Sequence, residues 1–167
     1  MKLTPEERDS FNMVKDLTKS NSIYLKRSYF KPGQIIMFSY NAKYDKNPYD
    51  NTPLLFVLGT SGKKYVYGLN FNWVPPVLRR GIIGLIWRSN KRKIEKGKDL
   101  VVSRFLLKAI FKNGLPAFRK YLAGRISKKG VLVPHALYPK IISLRAEHFI
   151  GISSEKAWAL SKSKIKK

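Results

Sequence analysis

The nearest the sequence comes to a catalytic pair is two aspartates in one polar loop. Asp45 and Asp50 lie in Tyr44-Asp45-Lys46-Asn47-Pro48-Tyr49-Asp50-Asn51, and clustered carboxylates are what a magnesium-dependent nuclease uses to hold its ion. The same loop is crowded with turn formers, among which Asp and Asn hydrogen-bond to their own backbone. Both aspartates are therefore assigned to shaping the loop, and no catalytic residue, metal or cofactor is expected. Histidine chemistry has little material: His135 and His148 are the only two, and Glu147 is the one acid beside either. On the alternating segment around it, His148 fits a core or interface position better than a general base. The absence of cysteine excludes a thiolate metal site, a cysteine nucleophile and a disulfide framework together.

Cations are the abundant chemical groups. Thirty-four lysines and arginines against ten acids give a formal net charge of +24 on 167 residues, and such a surface gathers polyanions because each neutralised phosphate releases a condensed counterion. No acid occurs between Asp50 and Glu95, and none from Val101 to Ala146. The expected phosphate contacts are Arg80, Arg88, Lys91, Arg92 and Lys93 along one helix, with Arg104, Lys108, Lys112, Arg119, Lys120, Arg125, Lys128 and Lys129 beyond it. Nucleic acid is the expected partner, DNA ahead of RNA. An anionic membrane surface is the weaker candidate, because the apolar face of the Trp87 helix is needed by the core. Hydrophobic residues at 44% and aromatics at 13% exclude a disordered basic tail and predict a folded core.

These side chains must be positioned by a fold that the periodicity predicts to be α+β: a small SH3-like antiparallel β-barrel with an N-terminal helix and basic C-terminal helices. A three-stranded sheet capped by helices is the alternative. Thr4, Pro5 and Glu7 form a helix start with capping-box spacing, and the helix should end near Ser20-Asn21. Lys31-Pro32-Gly33 reads as a turn, and residues 34–40, 53–58 and 64–73 read as strands, with a turn at Gly59-Thr60-Ser61-Gly62 and a bulge at Gly68. After Pro75-Pro76 a helix is predicted from Val77 to about Arg92, then helices over 100–112 and 115–126 separated by Asn113-Gly114. A returning strand over 144–152, a short helix at Ala157-Trp158 and a frayed basic tail complete the chain. The resulting divisions are 1–30 (N-terminal helix and linker), 31–76 (barrel strands), 77–137 (basic helical region) and 138–167 (closing strand, short helix and tail).

Arg79 falls inside the apolar stripe formed by Ile82, Ile83 and Ile86, whereas Arg80 points about 100° away. Arg79 is expected to be structural, tied to the Asp45 and Asp50 loop, and Arg80 to belong to the cationic surface.

Several of these residues also carry a resemblance. Gly33-x4-Phe38-x-Tyr40, Tyr44-Asp45-Lys46, Tyr49-Asp50, Pro53-Leu54-Leu55, Gly68-Leu69-Asn70-x-x-Trp73-x-Pro75 and Arg79 resemble a family of small basic proteins encoded by large tailed bacteriophages. Tyr138-x-x-Ile141, Phe149-Ile150-x-Ile152 and Trp158 are similar to that family's closing strand and tryptophan, so the likeness spans most of 33–80 and 138–158. It implies a virion or DNA-end-binding role, in contact with other virion proteins, with localisation in the host cytoplasm or the virion. Where the family has a histidine in the Gly-Leu-Asn strand, this chain has Asn72. Lys31-Pro32-Gly33 and Pro53-Leu54-Leu55 are also similar to PemK-type ribonuclease barrels, a likeness that would cast Thr60 and Arg79 or Arg80 in catalytic roles. The N-terminal residues carry no apolar signal region, which also leads to the expectation of a cytoplasmic protein.

Overall fold

The structure is a computed structural model that describes residues 5–43, 47–96, 98, 101, 103, 117–141 and 144–164. It is α+β. Helix α1 (Pro5–Asn21) leads into strand β1 (Ser22–Tyr24); β2 (Ile35–Tyr40), β3 (Tyr49–Asp50), β4 (Leu54–Ser61) and β5 (Tyr65–Asn70) follow. A 3₁₀ turn at Phe71–Trp73 precedes helices α2 (Pro76–Ser89) and α3 (Lys91–Glu95). Strands β6 (Phe118–Leu122) and β7 (Ile126–Leu132) flank a 3₁₀ turn at Ala123–Arg125, and α4 (Tyr138–Ile141), β8 (Phe149–Ile150) and α5 (Ser154–Lys164) close the described chain.

Six strands form one antiparallel sheet in the order β1-β7-β2-β4-β5-β6, and β3 pairs with β8 in a second sheet of two strands. The large sheet ends at β1 and β6, so its hydrogen bonding does not close into a barrel. Both faces of its central strands β2 and β4 are buried. Ile35, Met37, Leu54, Phe56 and Leu69 pack with Ile82, Ile83 and Ile86 of α2, while Ile36, Phe38, Leu55, Val57, Val66 and Tyr121 make a second core. This explains why Ile35-Ile36-Met37-Phe38 and Leu54-Leu55-Phe56-Val57 read as continuous apolar runs: alternate side chains serve opposite cores.

The Lys31-Pro32-Gly33 turn is present, with Gly33 at φ 91° and Gln34 N–H donating to Lys31 O at 3.1 Å. A proline followed by a residue at positive φ is the pairing a type II turn requires. Tyr138 pins this corner: its hydroxyl donates to Gly33 O and accepts from Ile35 N–H, both at 3.0 Å. Burial pushes its phenol pKa up to about 12.

Several expectations are corrected. Residues 115–126 were expected to be helical, but residues 118–122 are strand β6, because β5 offers an open ladder that β6 fills from Leu69↔Phe118 to Tyr65↔Leu122. Tertiary pairing outweighs the helical spacing of Phe118, Tyr121 and Leu122. Strand β4 runs through Ser61, so the turn falls at Gly62-Lys63-Lys64 instead of 59–62. The third strand stops at Asn70, where the Asn70 side chain accepts from Asn72 N–H and begins a 3₁₀ turn. The extra residue of the β4–β5 bulge is Leu58, opposite the expected Gly68. Helix α2 ends at Ser89 because the buried Asn90 amide turns back to Ile86 O at 2.9 Å. The returning strand shrinks to Phe149–Ile150. The expected helix over 100–112, and Thr4 on which the capping box depends, lie outside the described residues.

Gly68 is required by close approach: a Cβ there would sit 2.2 Å from Phe56 O. A Cβ on Gly84 in α2 would meet nothing within 4 Å. Gly68→Ala is expected to lower unfolding free energy by about 2 kcal/mol or more, whereas Gly84→Ala should raise it by about 0.5–1 kcal/mol. Urea denaturation of both variants checks the opposite signs.

Candidate functional site

The Asp50 side chain sits where β3, the end of β5, the 3₁₀ turn at Phe71–Trp73 and the strand entering β8 converge. Asp50 is 2% exposed. Its Oδ2 accepts from Asn70 Nδ2 and Asn72 Nδ2, each at 2.8 Å, and its Oδ1 accepts from the backbone N–H of Thr52 and His148, each at 3.1 Å. The Thr52 bond is the local loop-shaping role expected of this aspartate; the other three reach across the fold. Asn70 Nδ2 also donates to Tyr121 Oη at 3.0 Å, and Asn72 Nδ2 to Thr52 O at 2.9 Å. Trp158 of α5 donates its indole N–H to Asn72 O at 2.9 Å. With four donors on two oxygens, the carboxylate is committed to structure. Asp45 lies outside the described residues. Among the described residues, no three His, Cys, Asp or Glu side chains stand close enough to share a metal ion.

Arg79 is fully buried. Its Nε donates to Val74 O at 2.7 Å and its Nη1 to Leu144 O, so it fastens the helix start to the segment before β8. Burial lowers its pKa to about 10, opposed first by Glu147 and then by Asp50. Its link to the Asp50 centre is thus electrostatic, and its hydrogen bonds hold backbone. Glu147 in turn pairs with Arg145 at 3.0 Å, and the Arg145 guanidinium lies 4.9 Å from the Trp158 ring centroid.

The expected phosphate contacts divide into separate groups. Arg80, Arg88, Lys91 and Arg92 are exposed on α2 and α3, with Lys93 half-buried. Lys120, Arg125, Lys128 and Lys129 are exposed on β6, the following 3₁₀ turn and β7. Arg104, Lys108 and Lys112 lie outside the described residues. Strand geometry sends Arg119 and Lys120 to opposite faces of the sheet, where a helix would have left them on one surface. Lys120 Nζ lies 4.0 Å from the Tyr65 ring centroid. Arg119 turns to the other face, in register with Gly68, and its guanidinium stacks 3.9 Å from the Trp73 ring centroid. Burial lowers the Arg119 pKa, with Tyr121 and Asp50 acting in the opposite direction.

Arg119 lines a cleft of about 150 Å³ together with Tyr40, Asn47, Pro48, Tyr49 and Trp73, with Asp50 and Tyr121 at its base. No part of the sequence reading singled out this cleft, because it depends on β6 being a strand. Burial pushes the Tyr121 hydroxyl pKa well above the usual phenol value, so Tyr121 stays a neutral hydrogen-bonding group. No family model, curated protein or solved structure matches this chain.

Asp50→Asn turns one acceptor into a donor facing the Asn70 and Asn72 amides, and should cost about 3 kcal/mol of stability by thermal or urea unfolding. Arg79→Ala should cost about 3 kcal/mol as well, because it leaves two buried carbonyls without their donors. Arg80→Ala, on an exposed helix face, should stay within about 0.5 kcal/mol of the parent.

Proposed function

We propose that this protein is a non-enzymatic nucleic-acid-binding protein of the kind encoded by tailed bacteriophages. It grips DNA, ahead of RNA, through phosphates. In this reading it is made in the host cytoplasm and carried in or on the virion, against packaged DNA or DNA ends. The observation that carries it is the state of the exposed cations. Lys91 pairs with Glu95 at 4.0 Å and Arg145 with Glu147, whereas Arg80, Arg88, Lys120, Arg125, Lys128 and Lys129 have no carboxylate partner among the described residues. Such unneutralised charge on two folded surfaces favours a polyanion. No described helix is long and apolar enough to cross a membrane.

The SH3-like reading of the sheet draws support from the order β7-β2-β4-β5-β6, with the 3₁₀ turn joining its two outer members. A PemK-like endoribonuclease on such a sheet is the second reading. It is disfavoured because Arg79 is fully buried and spends its donors on backbone carbonyls, which leaves Arg80 on an exposed helix face as the remaining arginine.

Binding to a DNA fragment should weaken log-linearly with salt and show little dependence on duplex sequence. Lys128→Ala, Lys129→Ala and Arg80→Ala should each reduce the slope by about one. An affinity unchanged between low and high salt would overturn the phosphate-binding reading, and magnesium-dependent cleavage of DNA or RNA by the purified protein would replace it with the enzyme reading.

A further inference from the structure

We propose that the cleft beside Arg119 holds one unpaired nucleobase, guanine in preference, while the exposed cations outside it take the phosphates. This rests on the nucleic-acid reading above and deepens it.

Three observations point to a base. First, hydrogen-bond donors lack acceptors here. Arg119 Nε and Trp73 Nε1 are buried with no hydrogen-bond partner among the described residues. The nearby carboxylate cannot serve, because both Asp50 oxygens are already occupied by amide and backbone donors. Second, the guanidinium carbon lies over the Trp73 ring, 3.9 Å from its centroid, a contact that holds the charged end of Arg119 at the cleft. Third, the walls suit a ring. The half-buried Tyr49 and the exposed Pro48 line the same space of about 150 Å³ as Arg119 and Trp73. Aromatic and guanidinium planes are the surfaces on which splayed-out bases stack.

Electrostatics decides between a base and a phosphate. Asp50 lies at the bottom of the cleft, 2% exposed, and an oxyanion placed above it would meet a carboxylate in a medium that screens poorly. A neutral base brings acceptors to the Arg119 fork without a second negative charge. Guanine presents two adjacent acceptors, N7 and O6, that match a bidentate arginine. A cleft closed at its base by Tyr121 and Asp50 cannot admit a base pair, so the ligand strand is single or locally unpaired. Lys120, exposed and itself lining the cleft, and Arg125, exposed on the following 3₁₀ turn, would hold the flanking phosphates.

The test uses the full chain and fluorescence anisotropy at one low salt concentration. The probes are a short labelled oligothymidine with one central guanine, the same strand with an abasic site or 7-deazaguanine there, and the guanine strand paired into a duplex. The guanine strand should bind about tenfold more tightly than the abasic strand, and 7-deazaguanine, lacking the N7 acceptor, should lose about fivefold. Arg119→Lys, which keeps the charge but not the fork, should bind the guanine and abasic strands alike. If that variant does not fold, the comparison of strands on the unaltered protein decides the matter alone. Equal affinity for guanine and abasic strands, or tighter binding of the duplex, overturns the base site while leaving phosphate binding in place. Failure to bind any strand removes the nucleic-acid reading itself.

Discussion

A buried carboxylate with four donors organises this fold. Asp50 joins the bend after β3, the end of β5, the 3₁₀ turn that leads into α2, and the segment entering β8. These segments come from distant parts of the chain, and each supplies a polar group that would be costly to bury alone. The bonds are mutually dependent: the Asn70 and Asn72 amides need an acceptor away from water, and the buried carboxylate oxygens need donors in place of the water they give up. Trp158 extends the network to α5 through Asn72 O, and Tyr121 extends it to β6 through Asn70.

Around this centre the protein sorts its positive charge into two uses. Arg79 and Arg119 are drawn inwards, where burial penalises the charged form and the nearby acids Asp50 and, for Arg79, Glu147 offset part of that penalty. Arg79 spends its donors on backbone carbonyls and so locks α2 to the segment before β8. Arg119 lies over Trp73, with its buried Nε left without a partner among the described residues. The remaining arginines and lysines stay in solvent, where like-charge repulsion is screened and a polyanion can reach them.

Much of the architecture was legible in the chain. The α1 boundaries, the Pro32-Gly33 turn, the cores of β2 and β4, and the start of α2 at Pro76 follow from capping residues, turn chemistry and apolar runs, all of them local signals. Arg79 could be read as buried because a lone cation inside an apolar helical stripe has to be covered. The strand at 118–122 could not be read, since Phe118, Tyr121 and Leu122 fit the i, i+3, i+4 spacing of a helix and break the alternation of a strand. The break at Asn90 rests on a side chain whose partners become available only in the packed state.

The sequence by itself therefore determined the composition of the surface, the existence of a core, the α+β class and the positions of most turns, because these depend on residue type and on spacing within a few residues. Only the tertiary structure decided the order of the strands, the two-faced burial of β2 and β4, the role of Asp50 and the separation of Arg119 from Lys120. Each of those depends on which segment fills an open hydrogen-bond ladder or supplies a donor to a buried acceptor. Such partners lie 20 to 98 residues away for the Asp50 side chain, beyond the reach of any local pattern.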